Sequence, residues 1–171
     1  MIITVPIKFQ IVSFRKLILI VLIAIVPILF AGCLLQPVQH EGTSMKPAIG
    51  NGDRIFVNRI IGELKRGDIV VFQFPEDKSK SFVKRIIGLP NEKIEIRSGK
   101  VFINNQSLEE PYIDSKYNQV SRDSIEFRIP DGHYFVLGDN RNNSYDSRSW
   151  GTLPKELIYG VYYTTYLKGE K

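Results

Sequence analysis

Cysteine is nearly absent. The single one, Cys33, excludes an intrachain disulfide. Histidine is almost as scarce: only His40 and His133 are present, in unrelated stretches. One Cys and two isolated His make no ligand cluster at any familiar spacing, so no metal and no cofactor is expected. A Ser-His-Asp arrangement would have to draw on the same two histidines, and no carboxylate is obviously dedicated to orienting either. Both read as surface histidines. No glycine-rich phosphate cradle, internal repeat or low-complexity tract is visible. The net charge of +5 shrinks once its position is considered. Residues 1–16 carry Lys8, Arg15 and Lys16 and no acid, and setting these aside leaves 20 of the 23 Lys and Arg against 18 Asp and Glu. The remaining chain is close to neutral, which argues against a nucleic-acid partner.

Residues 17–35, LILIVLIAIVPILFAGCLL, carry no charge for 19 positions. As a helix they would extend about 28 Å, near the ~30 Å hydrocarbon thickness of a bilayer. Pro27 is tolerable in a spanning helix. The basic residues all precede the run, which puts 1–16 in the cytoplasm and 36–171 outside. A retained single-pass anchor in the plasma membrane is the expectation. The alternatives are a cleaved secretory peptide, or a lipoprotein signal ending at FAGC, 30–33. Within a helix Cys33 reads as a small lipid-facing hydrophobe.

After a short polar linker, PVQHEG at 37–42, the hydrophobic period becomes two. Strands are expected near 53–60, 67–74, 81–87, 92–98, 100–104, 125–129 and 133–139. Turns are expected at Ser98-Gly99 and Asn104-Asn105. LPKEL, 153–157, suggests a helical turn before a last strand at 159–167. With 43% hydrophobic and 24% charged residues, this part should fold as one mainly β domain.

Three stretches could carry chemistry. Ser44, in EGTSMKP, follows the linker and is on its own a common loop hydroxyl. Lys84, in SFVKRIIG, shares a strand face with Phe82 and Ile86, while Val83, Arg85 and Ile87 take the other. A lysine can serve as a base if burial keeps it neutral, since an ordinary one is neutral about once in 2,500 at pH 7. Lowering its pKa enough takes about 3.4 kcal/mol of desolvation. The bland reading is a lysine snorkelling from an edge strand. GDNRNNSYDSRSWG, 138–151, holds more hydrogen-bonding side chains than a turn needs, so Ser144, Asp146, Ser147 and Arg148 suggest a network buttressing a site.

In order, an apolar segment, SMKP (44–47), GDIVVF (67–72), FVKRIIGLP (82–90) and PDGHYFVLGDNRNNSYDSRSWG (130–151) resemble the type I signal peptidases, or leader peptidases, from residue 17 to about 160. The resemblance implies coiled antiparallel sheets behind one transmembrane helix. It implies a membrane-bound serine endopeptidase that removes signal peptides at Ala-x-Ala-type sites through a Ser-Lys dyad. Ser44 matches the nucleophile and Lys84 the general base. Ser144 matches a hydroxyl that orients the lysine amine, and Asp146 with Arg148 matches a supporting pair. Some members carry a serine that donates to the oxyanion where this chain has Gly42, which leaves the Ser44 N–H and an unidentified second donor. Met45 and Ile86 are candidates for lining the pockets for small substrate side chains. The implied partners are preprotein signal peptides and the lipid bilayer, with the enzyme a monomer. Ala48-Ile49, Asn91-Glu92 and the aromatic YGVYYTTYL, 159–167, depart from the family pattern. Two rivals remain: a repressor-type Ser-Lys protease, which should carry a DNA-binding motif, and an anchored or lipidated β-domain without enzymatic activity.

Overall fold

The computed structural model describes Lys16, residues 18–21, Ile23 and residues 34–119 and 124–169. Most of the expected anchor over 17–35, and Cys33 with it, lies outside the described residues, as does nearly all of 1–16. Among the described residues no helix is long and apolar enough to cross a membrane. Leu35–Lys171 is one compact unit, and Met1–Leu34 is a separate one.

The Leu35–Lys171 unit is mainly β. Its larger sheet takes β1 (Leu35–Gln39), β2 (Arg54–Asn58), β3 (Ile69–Phe74), β4 (Asp77–Gly88), β9 (His133–Leu137), β10 (Leu153–Pro154) and β11 (Ile158–Leu167). They pair antiparallel in the order β1-β2-β11-β3-β4-β9-β10. A smaller antiparallel sheet takes β5 (Lys93–Arg97), β6 (Lys100–Ile103), β7 (Gln106–Ser107) and β8 (Ile125–Arg128) in the order β7-β6-β5-β8.

The unbroken apolar run of β3 follows from burial on both sides, because a strand covered on both faces need not alternate. Val70 and Phe72 join Ile86, Val136 and Leu153 in one cluster. Ile69 and Val71 face the other way, toward Met45, Ile49, Ile55 and Val83. A third cluster, Ile87, Ile94, Val101, Phe135 and Leu137, fastens the small sheet to the ends of β4 and β9. Both expected tight turns form with left-handed backbone, φ 49° and 73° at Ser98-Gly99 and 49° and 68° at Asn104-Asn105. That conformation suits the twist of a two-residue hairpin.

One local expectation is corrected. The linker begins as strand β1, which pairs Val38 with Ile55 and Pro37 with Phe56. Pro is tolerated there because β1 is an edge strand. The helical turn expected within LPKEL forms, as a 3-10 turn over Lys155–Leu157 directly before the last strand, while Leu153 and Pro154 pair with β9.

Candidate active site

Ser44 lies in the turn between β1 and β2, where Ile49 N–H donates to the Met45 carbonyl (2.9 Å). Lys84 lies on β4 opposite Val70. The two are 40 residues apart in sequence, and Lys84 Nζ donates to Ser44 Oγ at 3.0 Å and to the Val83 carbonyl at 3.0 Å. Pairing with β9 begins only at Arg85, so the β9 side of Lys84 is open, yet Lys84 does not snorkel into solvent: it is only 5% exposed. Burial pushes its pKa down to about 8, although the charges of Asp146 and Asp139 pull the other way. Such an amine can lose its proton near neutral pH and accept one from a neighbouring hydroxyl.

The loop after β9 holds the Ser44 turn from behind. Asn140 N–H donates to the Ser44 carbonyl (3.0 Å) and Asn140 Nδ2 to the Thr43 carbonyl (3.2 Å). Asn143 Nδ2 donates to Thr43 Oγ1 (2.9 Å). Gly138 permits this approach: a Cβ there would stand 2.5 Å from the Ser44 carbonyl oxygen and against Ser144 Oγ. Gly138→Ala is therefore expected to lose about 1–3 kcal/mol of stability through overpacking, read as a lower urea midpoint at unchanged slope.

Asp146 organises the same loop. Its carboxylate accepts from Gly138 N–H (3.1 Å) and from Arg148 Nε and Nη2 (both 2.8 Å), while Arg148 Nη1 reaches the Arg141 carbonyl (3.0 Å). Burial pushes the Asp146 carboxyl up, but Arg148, Gly138 N–H and the nearby Ser144 hydroxyl outweigh it and hold the pKa below the usual carboxylate range. Asp146 also caps the short helix α1 (Ser147–Trp150), and Ser147 Oγ accepts from Val136 N–H (3.0 Å). Ser144 Oγ is buried without a hydrogen bond of normal geometry, lying against Gly138 and near Asp146. The hydrogen bonds of Lys84 Nζ run to Ser44 and Val83, not to Ser144.

Four further residues join this network that the motif reading did not single out. Arg85, on the face of β4 turned away from Lys84, pairs bidentately with buried Asp139 (Nε–Oδ1 2.8 Å, Nη2–Oδ2 2.6 Å). Its Nη1 donates to the Gly67 carbonyl (2.8 Å), and its guanidinium lies over the Tyr112 ring at 4.1 Å. Buried Arg141 donates to the Gly138 carbonyl (3.0 Å) and forks onto Glu110. VKR and GDNR were visible in the sequence, but nothing local tied either to Glu110.

A cleft of about 540 Å³ opens at the dyad, walled by Val38, His40, Gly42, Val71 and Val83 as well as Ser44 and Lys84. Met45 and Ile86 are not on its wall: both are fully buried, on opposite faces of the large sheet. Gly42 does line it, with its N–H committed to Asn51 Oδ1 at 2.7 Å. His40 corrects the surface expectation. His40 N–H donates to the Asp53 carbonyl and Gly52 N–H to the His40 carbonyl, both at 2.8 Å, so the residue continues the edge of β1 and its ring turns inward. His133 starts β9 beside the Asp131 carbonyl, away from the cleft. Among the described residues no group of three or more His, Cys, Asp or Glu could hold a metal ion.

The family model described as "Signal peptidase, peptidase S26" matches residues 11–167. Signal peptidase I P of Bacillus subtilis subsp. natto is 40% identical over 166 residues, 90% of this chain and 88% of that protein. Signal peptidase I of Bacillus licheniformis is 34% identical over 153 residues, 83% of this chain and 82% of that one. A crystal structure of a signal peptidase I from Enterococcus faecalis V583 superposes with a TM-score of 0.53 at 36% identity, covering 59% of this chain and 97% of that chain.

Proposed function

The chain belongs to the peptidase S26 signal peptidases, which are serine endopeptidases, and from that premise we propose that it removes signal peptides from exported preproteins with Ser44 as nucleophile and Lys84 as general base. Membership sets aside the non-enzymatic β-domain. The observation that carries the dyad assignment is the 3.0 Å approach of a buried Lys84 amine, with its pKa pushed down to about 8, to Ser44 Oγ. At that pKa roughly one lysine in ten is neutral at pH 7, instead of one in thousands.

Neutral Lys84 takes the Ser44 proton as Oγ bonds to the scissile carbonyl carbon, and the ammonium returns that proton to the leaving amine as the C–N bond breaks. Lys84 then activates the water that releases the acyl-enzyme. The Ser44 N–H is one donor to the oxyanion. Gly42 N–H, already bonded to Asn51, is not the second. Ser144, Asp146 and Arg148 act by positioning: they fix the loop that holds the Ser44 turn. The preprotein enters extended between two unpaired strand edges, that of β1 with its continuation and that of residues 81–84 of β4, where β9 has not begun to pair. Valine walls suit small side chains one and three positions before the cut.

Residues 17–35 anchor the enzyme in the plasma membrane as a single-pass monomer with 36–171 extracytoplasmic. Exposed Tyr163, Tyr166 and Leu167 near the end of β11 suit a bilayer interface. The direct test incubates the detergent-solubilised protein with a preprotein bearing Ala-x-Ala and maps the products by mass spectrometry. A single cut after the second Ala is expected, and a panel of intact preproteins would sink the reading. The pH profile has a definite sign. The reactive form is the neutral amine, so kcat/KM should rise with pH through an apparent pKa near 8 and then level off. A limb near 6.5 would point to a histidine instead.

A further inference from the structure

His40 is 5% exposed, it stands in the wall of the cleft that holds Ser44 and Lys84, and its Nε2 is buried with no hydrogen-bond partner among the described residues. Folded proteins seldom leave such a nitrogen unpaired. Burial and the positive charge of Lys84 hold the imidazole pKa below its usual value against the opposing charge of Asp53, so the ring is neutral at pH 7. A neutral imidazole has one donor and one acceptor nitrogen. In either tautomer Nε2 can bond a hydroxyl, which both donates and accepts, and it can do nothing with a methyl group. The nearby side chains of Val38, Val71 and Val83 offer no polar atom.

We propose that His40 is a specificity-determining residue, bonding the hydroxyl of a serine one or three positions before the cut, so that this enzyme favours Ser over Ala in one of its two small pockets. The proposal rests on the reading of the cleft as the preprotein site. A site built around a polar group penalises the substrate that leaves that group unpaired, whereas a purely apolar pocket discriminates weakly between a methyl and a hydroxymethyl group.

The test uses the full chain in detergent and three preproteins: Ala-x-Ala, the same with Ser at the first Ala, and the same with Ser at the second. For the wild type, kcat/KM should be roughly tenfold higher for one Ser preprotein than for Ala-x-Ala. His40→Leu should reverse that ratio, and His40→Gln, which keeps a hydrogen-bonding amide, should retain part of it. Equal or lower rates for both Ser preproteins in the wild type overturn the proposal, whatever becomes of the variants. A Ser preference that survives His40→Leu also overturns it. Should the leucine variant fail to fold, by circular dichroism, the wild-type ratio and the glutamine variant decide. If none of the three preproteins is cleaved, the cleavage reading itself has failed and the proposal falls with it. Cleavage of all three at equal rates refutes His40 alone.

Discussion

Lys84→Met should abolish cleavage, lowering kcat/KM by roughly 10⁴-fold or more, while making the protein more stable at pH 7. The two effects have one cause. In the folded chain the Lys84 pKa is about 8, against 10.5 for the free side chain, because burial disfavours the ammonium. Between those values the unfolded chain binds the extra proton, so wild-type stability rises with pH across that window. Below about pH 8 the whole penalty, on the order of 3 kcal/mol, is present. Methionine has similar length and no charge, so it removes the penalty along with the base. Urea denaturation at pH 7 should therefore show the variant more stable than the wild type, by up to about 3 kcal/mol, with the gap closing toward pH 10. Ser44→Ala should lose as much activity without that gain. An active Lys84→Met protein would end the dyad assignment, and an inactive variant less stable than wild type at pH 7 would mean that the amine is not held as described.

Asp139→Ala is expected to be the most damaging single change to the fold. The carboxylate is fully buried and forks onto Arg85, whose guanidinium is itself largely enclosed by Tyr112 and the Gly67 carbonyl. Removing one member of such a pair strands the other charge in a low-dielectric setting, at about 3–5 kcal/mol. Arg85→Met strands the carboxylate instead. The double variant Arg85→Met/Asp139→Leu should lose clearly less than the two single losses summed, and that coupling, measured by denaturation, is the check. Additive losses, or a single loss under about 1 kcal/mol, would refute the pair's structural role. Asp139→Ala carries a second signature: its charge raises the Lys84 pKa, so whatever protein folds should show its alkaline activity limb at lower pH.

Legibility in the sequence followed the range of the interactions. Ser98-Gly99 and Asn104-Asn105 were readable because left-handed φ is a local steric matter. The strands on either side were readable because alternation records a covered and an open face. β1 was misread as linker: its polar residues fit an edge strand, and only pairing with β2 makes it one. Met45 and Ile86 were expected to line the substrate pockets, yet both are fully buried: Met45, in the same turn as Ser44, belongs to the cluster of Ile49 and Ile55, and Ile86 to that of Val70 and Phe72, contacts that only the folded chain brings together. The inward ring of His40 depends on two backbone bonds to residues 52 and 53. No periodicity announces them.

The sequence by itself determined the β character of the chain from residue 36 onward, the family, and the choice of Ser44 and Lys84 as the residues to watch, because those follow from local periodicity and from motifs read in order. Tertiary structure alone decided that Lys84 is buried and 3.0 Å from Ser44, that Arg85 and Asp139 pair across 54 residues, and that His40 faces the cleft. Burial and charge pairing are properties of what surrounds a side chain, and for these residues the surroundings come from segments dozens of positions away.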